Sequence, residues 1–489
     1  MDKHRGCRVK GRAISGGLCF AGVKNGLTIP ILVVACACGT AQPAAPPQEP
    51  RAVAPLPSLE PAPALAVTAP QSDAAVVFVE DDYARALADA RTRHLPLFVD
   101  AWATWCHTCL SMRSFVFPDP ALKPFGARFA WLSIDTERQE NAPLVSRLGV
   151  RVLPTLFVVD PATEQPVLAW PGSLTAAELI PLLEDAENAV RHGGSEGDAA
   201  AALLRGQQAT AAGKVDEALA AYRAALAAAP ADWPRRPQAV DAFVTSLAAA
   251  KQLAACVTAG ADDAPRLPPG TALADVLRAS MGCAQDLPRR APERQRLEAL
   301  ATLGEKVASD AAQPILADDR SDLYDYVVQA LRDVGRKDES KEVARAWAAF
   351  LEGEAARAPT PAARAVFDAH RLLAYLAVGA PERAVPMLEQ SERDFPDDYN
   401  PPARLATAYL KLKQLDDALA AVQRALGRAY GPRKLRLWSL EADVYEAKRD
   451  RGSARKALRE ALDFAKTVPL TGAYPALRDM LEKRLGAMK

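Results

Sequence analysis

The residues best suited to chemistry in this sequence are two cysteines, Cys106 and Cys109, with His107 and Thr108 between them. Two thiols at this spacing can close a short intramolecular disulfide, and a thiolate can attack the disulfide of another molecule. A free thiol has a pKa of about 8.5, so it reacts well near neutrality only where its surroundings favour the anion. The motif therefore predicts thiol–disulfide exchange, with Cys106 as the nucleophile and Cys109 as the resolving thiol.

The elements around the motif predict how Cys106 is activated. An apolar run at 95–101 (LPLFVDA) predicts a buried strand, and a helix is expected to begin at the motif. The free N–H groups and the dipole of a helix start stabilise an anion, so we expect an exposed, easily ionised Cys106 sulfur. A protonated His107 would stabilise that thiolate further. The alternative is that His107 is a solvent-exposed loop residue with little influence.

One acid, Asp100, interrupts the apolar strand that leads to the motif. Burial disfavours a charged carboxylate and should raise its pKa. Such a group can exchange protons with a neighbouring thiol. It can equally be a buried acid that is satisfied by backbone donors.

A zinc site is the competing interpretation of a CxxC motif, since structural zinc needs four ligands. This chain has no second CxxC, and its five histidines are scattered at 4, 94, 107, 192 and 370. The sequence therefore predicts no metal site.

Alternating strand and helix patterns predict an α/β domain over 73–192. Strands are expected at 76–79, 95–101, 129–134, 155–159 and 167–170, and helices at 83–93 and 140–148. A capping box formed by Thr175 and Glu178 predicts the start of a final helix that runs to about 191.

Over roughly 115 residues these features resemble the thioredoxin family. The segment VDAWATWCHTC follows that family's strand–loop–helix pattern, with Trp105 just before the first cysteine. Leu153-Pro154-Thr155 is similar to its cis-proline loop, and Gly172 to a late glycine. The stretch LSMRSFVFPDPALKPF looks most like the subgroup that includes the C-terminal domain of the membrane reductase DsbD.

The resemblance implies roles for several residues. Asp100 would pass protons as Cys109 turns over, although the lysine that commonly accompanies this acid is replaced by Trp131, which suggests a weaker or water-dependent proton path. A cis Pro154 would place the backbone before it against an extended substrate; otherwise Pro154 is an ordinary strand-entry proline. The implied substrate-binding residues are Trp105, Leu153, Pro154 and Thr155. No cofactor is implied beyond the redox-active disulfide.

The N-terminal region, 1–36, predicts an export signal. It combines basic residues, a short apolar run at 28–35 (TIPILVVA) and small residues, and the run is far too short to span a bilayer. The ending VVAC resembles a bacterial lipobox and marks Cys36 for lipidation, whereas Cys38 has a poorer apolar anchor. We expect the true start near Val23. The alternative is an apolar stretch in a disordered tail.

The next segment, 37–72, is rich in Ala and Pro and predicts an extended tether. The remaining chain predicts helices with apolar spacing near 3.6 residues. Tyr375 and Tyr409 are 34 positions apart, as are Ala384 and Ala418, which resembles tetratricopeptide (TPR) repeats. The domains expected are TPR repeats at 366–489 and degenerate TPR-like helices at 199–365, where a first repeat is traced by Gly206, Ala218, Tyr222, Ala225 and Pro230.

Cys256 and Cys283 lie in the irregular helical stretch. In an oxidising compartment they can form a structural disulfide, and buried free thiols are the alternative.

The expected function is that of a thiol–disulfide oxidoreductase of the cell envelope or periplasm, with reduction or relay favoured over oxidation. Its expected partners are protein clients with disulfides or thiols, a membrane electron donor, and a protein bound by the TPR solenoid. Basic and acidic residues balance at 60 each, so no net field attracts nucleic acid, and membrane contact is expected only through the lipid anchor. The alternative function is a TPR adaptor whose thioredoxin-like domain is a redox-silent docking module.

Overall fold

The computed structural model describes residues 75–192 and 198–488. The predictions for the signal region, for lipidation at Cys36 and for the 37–72 tether concern residues outside those ranges. A mixed α/β region comes first and a helical solenoid follows, which confirms the predicted fold class. Among the described helices, none combines the length and the apolar character that a bilayer crossing requires.

Five strands form one mixed sheet in the order β1-β3-β2-β4-β5. β3 runs parallel to β1 and β2, whereas β4 is antiparallel to both β2 and β5. The first strand is shorter and later than the sequence predicted. The strands are β1 Val79–Glu80, β2 Leu97–Trp102, β3 Ala130–Asp135, β4 Thr155–Val159 and β5 Pro166–Pro171.

Four α-helices accompany this sheet: α1 Tyr83–Arg93, α2 His107–Ser111, α3 Ala142–Leu148 and α4 Ala176–His192. A π-helical turn, Met112–Val116, continues α2 directly. The predicted capping box begins α4, because Glu178 accepts a hydrogen bond from the Thr175 backbone N–H at 2.9 Å and its own N–H donates to the Thr175 hydroxyl at 3.3 Å.

The central strand β2 is buried on both faces because its side chains alternate between two cores. Leu97 and Val99 pack in one core with residues of α1 and α3. Phe98 packs in the other core with residues of α4. Asp100 follows Phe98 by two residues, so it lies on the same sheet face as Phe98.

The remaining helices pack mainly against helices that are close to them in the sequence. They are α5 Asp198–Ala211, α6 Val215–Ala228, α7 Arg236–Ala249, α8 Leu253–Asp263, α9 Thr271–Asp286, α10 Leu297–Ser309, α11 Ala317–Asp333, α12 Lys337–Arg357, α13 Pro361–Ala365, α14 Asp368–Val378, α15 Ala384–Asp394, α16 Asn400–Leu412, α17 Leu415–Arg428, α18 Lys434–Ala447, α19 Arg451–Ala465 and α20 Tyr474–Ala487.

Small residues at the repeat positions allow the paired helices to approach closely. A Cβ atom placed on Gly206 would lie 2.3 Å from the Tyr222 ring, so only glycine fits opposite that tyrosine. Ala384 and Ala418, at matching positions of two later repeats, are both completely buried. The spacing read from the sequence is therefore a packing pattern of small residues against large ones.

A disulfide joins Cys256 of α8 to Cys283 of α9. Both residues are buried, at 0% and 3% exposure. The sequence left this pair open between a disulfide and free thiols, and the structure pairs them.

The two cysteines are 27 residues apart, so their disulfide closes a loop that restrains the unfolded chain. The double variant Cys256→Ala/Cys283→Ala is therefore expected to lose about 3 kcal/mol of unfolding free energy. Denaturant unfolding under non-reducing conditions measures the loss. Equal stability of variant and wild type, together with alkylation of Cys256 in the oxidised protein, would contradict the pairing.

Candidate active site

The Cys106–Cys109 pair lies at the junction of β2 and α2 and is joined as a disulfide. Cys106 is the N-cap residue of α2, and its sulfur accepts a hydrogen bond from the Cys109 backbone N–H at 3.1 Å. A sulfur that caps a helix start lies where free N–H groups favour a negative charge. The same contact would therefore stabilise a Cys106 thiolate after reduction.

Asp100 is completely buried in β2. Among the described residues no donor makes a hydrogen bond of normal geometry to its carboxyl oxygens; the Ser133 hydroxyl faces the group, and the Arg113 guanidinium is 3.7 Å away. Burial raises the pKa of this carboxyl to about 7, and Arg113 only partly opposes the rise. A carboxyl with this pKa can both take up and release a proton near neutral pH.

The prediction that Trp131 occupies the position beside Asp100 is wrong. Trp131 is opposite Phe98 in the β2–β3 ladder, and the two rings lie tilted to each other with 4.5 Å between their centroids. The residue opposite Asp100 is Ser133, and the nearby cation, Arg113, comes from the π-helical turn that follows α2. Sequence alignment by strand position could not identify Arg113, because it reaches the acid from a different element.

The loop before β4 lies against the cysteine pair. The Leu153–Pro154 peptide bond is cis, and Leu153 packs in one apolar cluster with Cys106, Cys109 and Trp105. The Pro154 carbonyl accepts a hydrogen bond from Gly172 N–H at 2.8 Å. The Leu153 backbone N–H and C=O make no hydrogen bond to any described residue, which leaves them free to pair with an extended segment.

His107 lies in a cluster that the helical region completes. Its Nδ1 is 3.1 Å from each carboxylate oxygen of Asp318 in α11, and the Thr108 hydroxyl is 3.2 Å away. Nε2 of His370, in α14, is 2.7 Å from Asp318 and 3.0 Å from His107 Nδ1. Asp318 and His370 are both buried, whereas the His107 side chain is 29% exposed.

The charges in this cluster favour a cationic His107. Burial alone would lower the pKa of His107, but Asp318, assisted by Asp322, outweighs burial and raises it to about 9. Burial alone would likewise raise the pKa of the Asp318 carboxyl, but His107 and His370 hold it well below its usual range. These charges favour an ion pair between Asp318 and His107 at neutral pH, in which the carboxylate is buried and the imidazole is partly exposed.

Donor atoms of His107, His370 and Asp322 lie within 4.8 Å of one another, which is within reach of a shared cation. The sequence predicted no metal site and did not foresee this proximity, since His107 and His370 are 263 residues apart. Asp318 contacts both imidazoles directly, so the cluster already contains a carboxylate that can balance a positive charge on His107.

The helical region also holds the loop that precedes Cys106. The Thr104 hydroxyl donates to Tyr399 at 3.0 Å, and the Asn400 amide donates to the Thr104 carbonyl at 3.2 Å. Trp105 donates to Glu137 at 2.8 Å, and the Arg433 guanidinium lies over its ring at 4.6 Å. Trp105, expected to contact substrate, is thus already engaged within the chain.

Helix N-termini supply two of the contacts between the two regions. The Thr271 N–H, at the start of α9, donates to Glu178 at 3.1 Å, and the Arg433 N–H, just before α18, donates to Glu137 at 3.0 Å. A helix start favours a carboxylate because its N–H groups are free and its dipole is positive. The acids on the α/β region therefore dock onto the beginnings of the solenoid helices.

This docking overturns the expectation of an exposed Cys106. Cys106 is only 5% exposed and Cys109 is fully buried. By contrast, Val152, two residues before Pro154, is 56% exposed. The accessible rim of the site is therefore the loop before the cis-proline, and not the sulfur itself.

Sequence reasoning missed Glu137 of the α/β region and four residues of the helical region, namely Asp318, His370, Tyr399 and Arg433. Asp318 lies in a run of acids at the start of α11, where acids ordinarily stabilise a helix end. The one local signal was His370, a histidine within an otherwise apolar helical stretch of a chain with five histidines.

Residues 79–161 match a thioredoxin-like family model, and residues 375–444 match a tetratricopeptide repeat model. No curated protein matches the chain significantly.

Several solved structures are similar to part of the chain. A tetratricopeptide repeat protein from Parabacteroides merdae is 9% identical, with a TM-score of 0.38, and the match covers 57% of this chain and 97% of that one. A thermophilic TPR protein in Thermus thermophilus is 19% identical, with a TM-score of 0.25, covering 50% and 97%. The TPR2AB domain of yeast Sti1 is 14% identical, with a TM-score of 0.21, covering 59% and 98%.

Proposed function

We propose that this chain, which joins a thioredoxin-like domain to TPR repeats, is a thiol–disulfide oxidoreductase that acts on protein clients through Cys106 and Cys109. The observation that carries the proposal is the Cys106–Cys109 disulfide at the start of α2, where the Cys106 sulfur accepts a hydrogen bond from a backbone N–H. A buried acid on the adjoining strand and a cis-proline loop against the pair support it.

The proposed exchange proceeds in two steps. In the reduced protein the Cys106 thiolate attacks a client disulfide, which forms a mixed disulfide and releases one client sulfur as a thiolate that takes up a proton. Cys109 then loses its proton and attacks the Cys106 sulfur, which closes the Cys106–Cys109 disulfide and releases the second client thiol. Two electrons pass to the client, and a dithiol donor must restore them. By its pKa, Asp100 is suited to accept the Cys109 proton.

Clients are expected to approach along the cis-proline loop. The exposed Val152 side chain and the unpaired backbone of Leu153 offer an edge for an extended client segment. The TPR repeats suggest a protein–protein interaction as well, and we propose that they recruit a client or an electron donor to this edge.

We further propose a place in the cell envelope, with a lipid anchor at Cys36 and the 37–72 tether holding the domain off the membrane. The second disulfide, Cys256–Cys283, supports an oxidising compartment, because structural disulfides persist there and are rare in the cytosol.

One observation favours the alternative function, a redox-silent module within a TPR adaptor. Cys106 is nearly buried, and the side chains of Thr104 and Trp105 donate hydrogen bonds to other residues of the same chain. Under this alternative, a client phenotype in the source organism would survive loss of both active-site cysteines but not loss of 370–465.

The decisive experiment uses the mature full-length protein with a model protein disulfide and dithiothreitol. We expect the wild type to accelerate reduction, and we expect Cys109→Ala to accumulate a client joined to Cys106 by a mixed disulfide, because the resolving thiol is gone. Cys256→Ala/Cys283→Ala is the matched control and should retain turnover. A folded wild type that neither turns over nor yields the trapped species would leave the adaptor as the function.

A further inference from the structure

We propose that Asp318 of the helical region is a positioning residue for the cysteine pair: its carboxylate, fixed by His370, keeps His107 cationic beside Cys106. The redox properties of the pair are then set jointly by the two regions of the chain. This inference rests on the proposed exchange reaction and names a residue that acts on it through His107.

The geometry gives His107 a cationic form that its own position would disfavour. His107 is the first residue of α2, and the positive end of a helix dipole repels a cation. Asp318 offsets that repulsion, because both of its oxygens are 3.1 Å from His107 Nδ1. His370 lies 2.7 Å from one of these oxygens and so restricts the orientation of the carboxylate.

The groups that face His107 come from several elements, and their balance is negative. Asp318 and Asp322 belong to α11, whereas Arg404 of α16 is a cation that opposes them. His370 of α14 adds a second imidazole, and Thr108 of α2 adds a hydroxyl. The nearest of the carboxylates, Asp318, makes the direct contact.

The consequence concerns the Cys106 sulfur. His107 follows Cys106 directly in the chain, whereas the Asp318 carboxylate belongs to α11 of the helical region. A cation near a thiolate stabilises it, and a more stable thiolate makes the disulfide more oxidising. Loss of Asp318 would remove the contact that favours the cationic form of His107, and with it the stabilisation that this cation gives to the thiolate.

The test compares Asp318→Asn with the wild type in two measurements: the reduction potential of the Cys106–Cys109 pair, and the pH dependence of Cys106 alkylation after reduction. We expect the apparent ionisation constant of Cys106 to fall about tenfold. A tenfold change in the exchange equilibrium corresponds to a potential that is about 30 mV more reducing. Both proteins are treated with a chelator first, and a wild-type potential that depends on added Zn²⁺ would overturn the ion-pair assignment.

Asp319→Asn is the matched control. Asp319 is the next residue of α11, is also buried and accepts a hydrogen bond from Ser173 at 2.7 Å. Burial beside Asp275 and Asp318 raises the pKa of Asp319, and Asn keeps an oxygen that can accept the Ser173 hydrogen bond. This variant should leave both measurements unchanged.

A double variant separates the routes. In a His107→Gln background, Asp318→Asn should have no further effect on either measurement. An unchanged potential in Asp318→Asn, or an equal shift with His107 already replaced, would overturn the inference. If instead the alkylation profile shifts as expected while the wild type shows no exchange activity, the positioning role stands and the proposed function fails.

Discussion

Asp100→Asn is expected to raise the free energy of unfolding by about 4 kcal/mol at pH 8 and to leave it nearly unchanged at pH 4. The carboxyl is completely buried, and burial raises its pKa from 3.8 to about 7. In the unfolded chain the group ionises near pH 4, whereas in the folded protein it holds its proton until about pH 7. Between these values the unfolded state gains free energy from ionisation, so stability falls as the pH rises. Asn keeps the shape of the protonated acid and escapes this loss.

Chemical denaturation of the oxidised protein at a series of pH values measures the difference between wild type and variant. Asp338→Asn is a suitable control, because its side chain is 98% exposed and should change stability by no more than about 0.5 kcal/mol. A stability gap for Asp100→Asn that does not grow between pH 4 and pH 7 would show that the acid is ionised or solvated in the folded protein.

Gly431→Ala is expected to weaken the contact between the α/β region and the helical region and to lower the free energy of unfolding by about 2–5 kcal/mol in total. Gly431 has φ +57°, where an alanine costs about 1–2 kcal/mol. A Cβ atom there would also lie 2.1 Å from the Glu137 carbonyl oxygen, and relieving such overlap adds about 1–3 kcal/mol. Glu137 anchors Trp105 and the Arg433 N–H, so its displacement should loosen the cover over Cys106.

Gly472→Ala provides a close control for this prediction. Gly472 has φ +56°, and nothing lies within 4 Å of a Cβ atom placed on it. It should therefore lose only the backbone share of the effect. Denaturation compares the two stabilities, and mass spectrometry of the reduced proteins compares Cys106 alkylation rates, which should be faster in Gly431→Ala alone. Equal stabilities for the two variants would mean that the docking contact at Glu137 yields without loss.

The near burial of Cys106 bears directly on how a client could reach it in the proposed exchange reaction. A client sulfur cannot reach a residue that is 5% exposed without some separation of the loop before Cys106 from Tyr399 and Asn400. The same separation would move Asp318 from His107, because α11 and α16 belong to one packed solenoid. Under the proposed function, access to Cys106 and the charge on His107 would therefore change together.

The sequence by itself determined those features that depend on neighbours along the chain. Strand runs such as 95–101, the capping box at Thr175 and the CxxC at a helix start all follow from local residue patterns. The repeats were also recognisable, since Tyr375 and Tyr409 recur at a spacing that one helix pair imposes.

Only the tertiary structure decided what surrounds the cysteine pair. Glu137 and Trp105 are in contact although they are 32 positions apart, and Asp318 and His107 although they are 211 positions apart. The near burial of Cys106 depends on long-range contacts of this kind. Acids at the start of a helix have the same local pattern whether they cap that helix or bind a side chain from another region. The packing of all the intervening helices decides which helix ends meet the α/β region. No local sequence pattern specifies the combined effect of that packing.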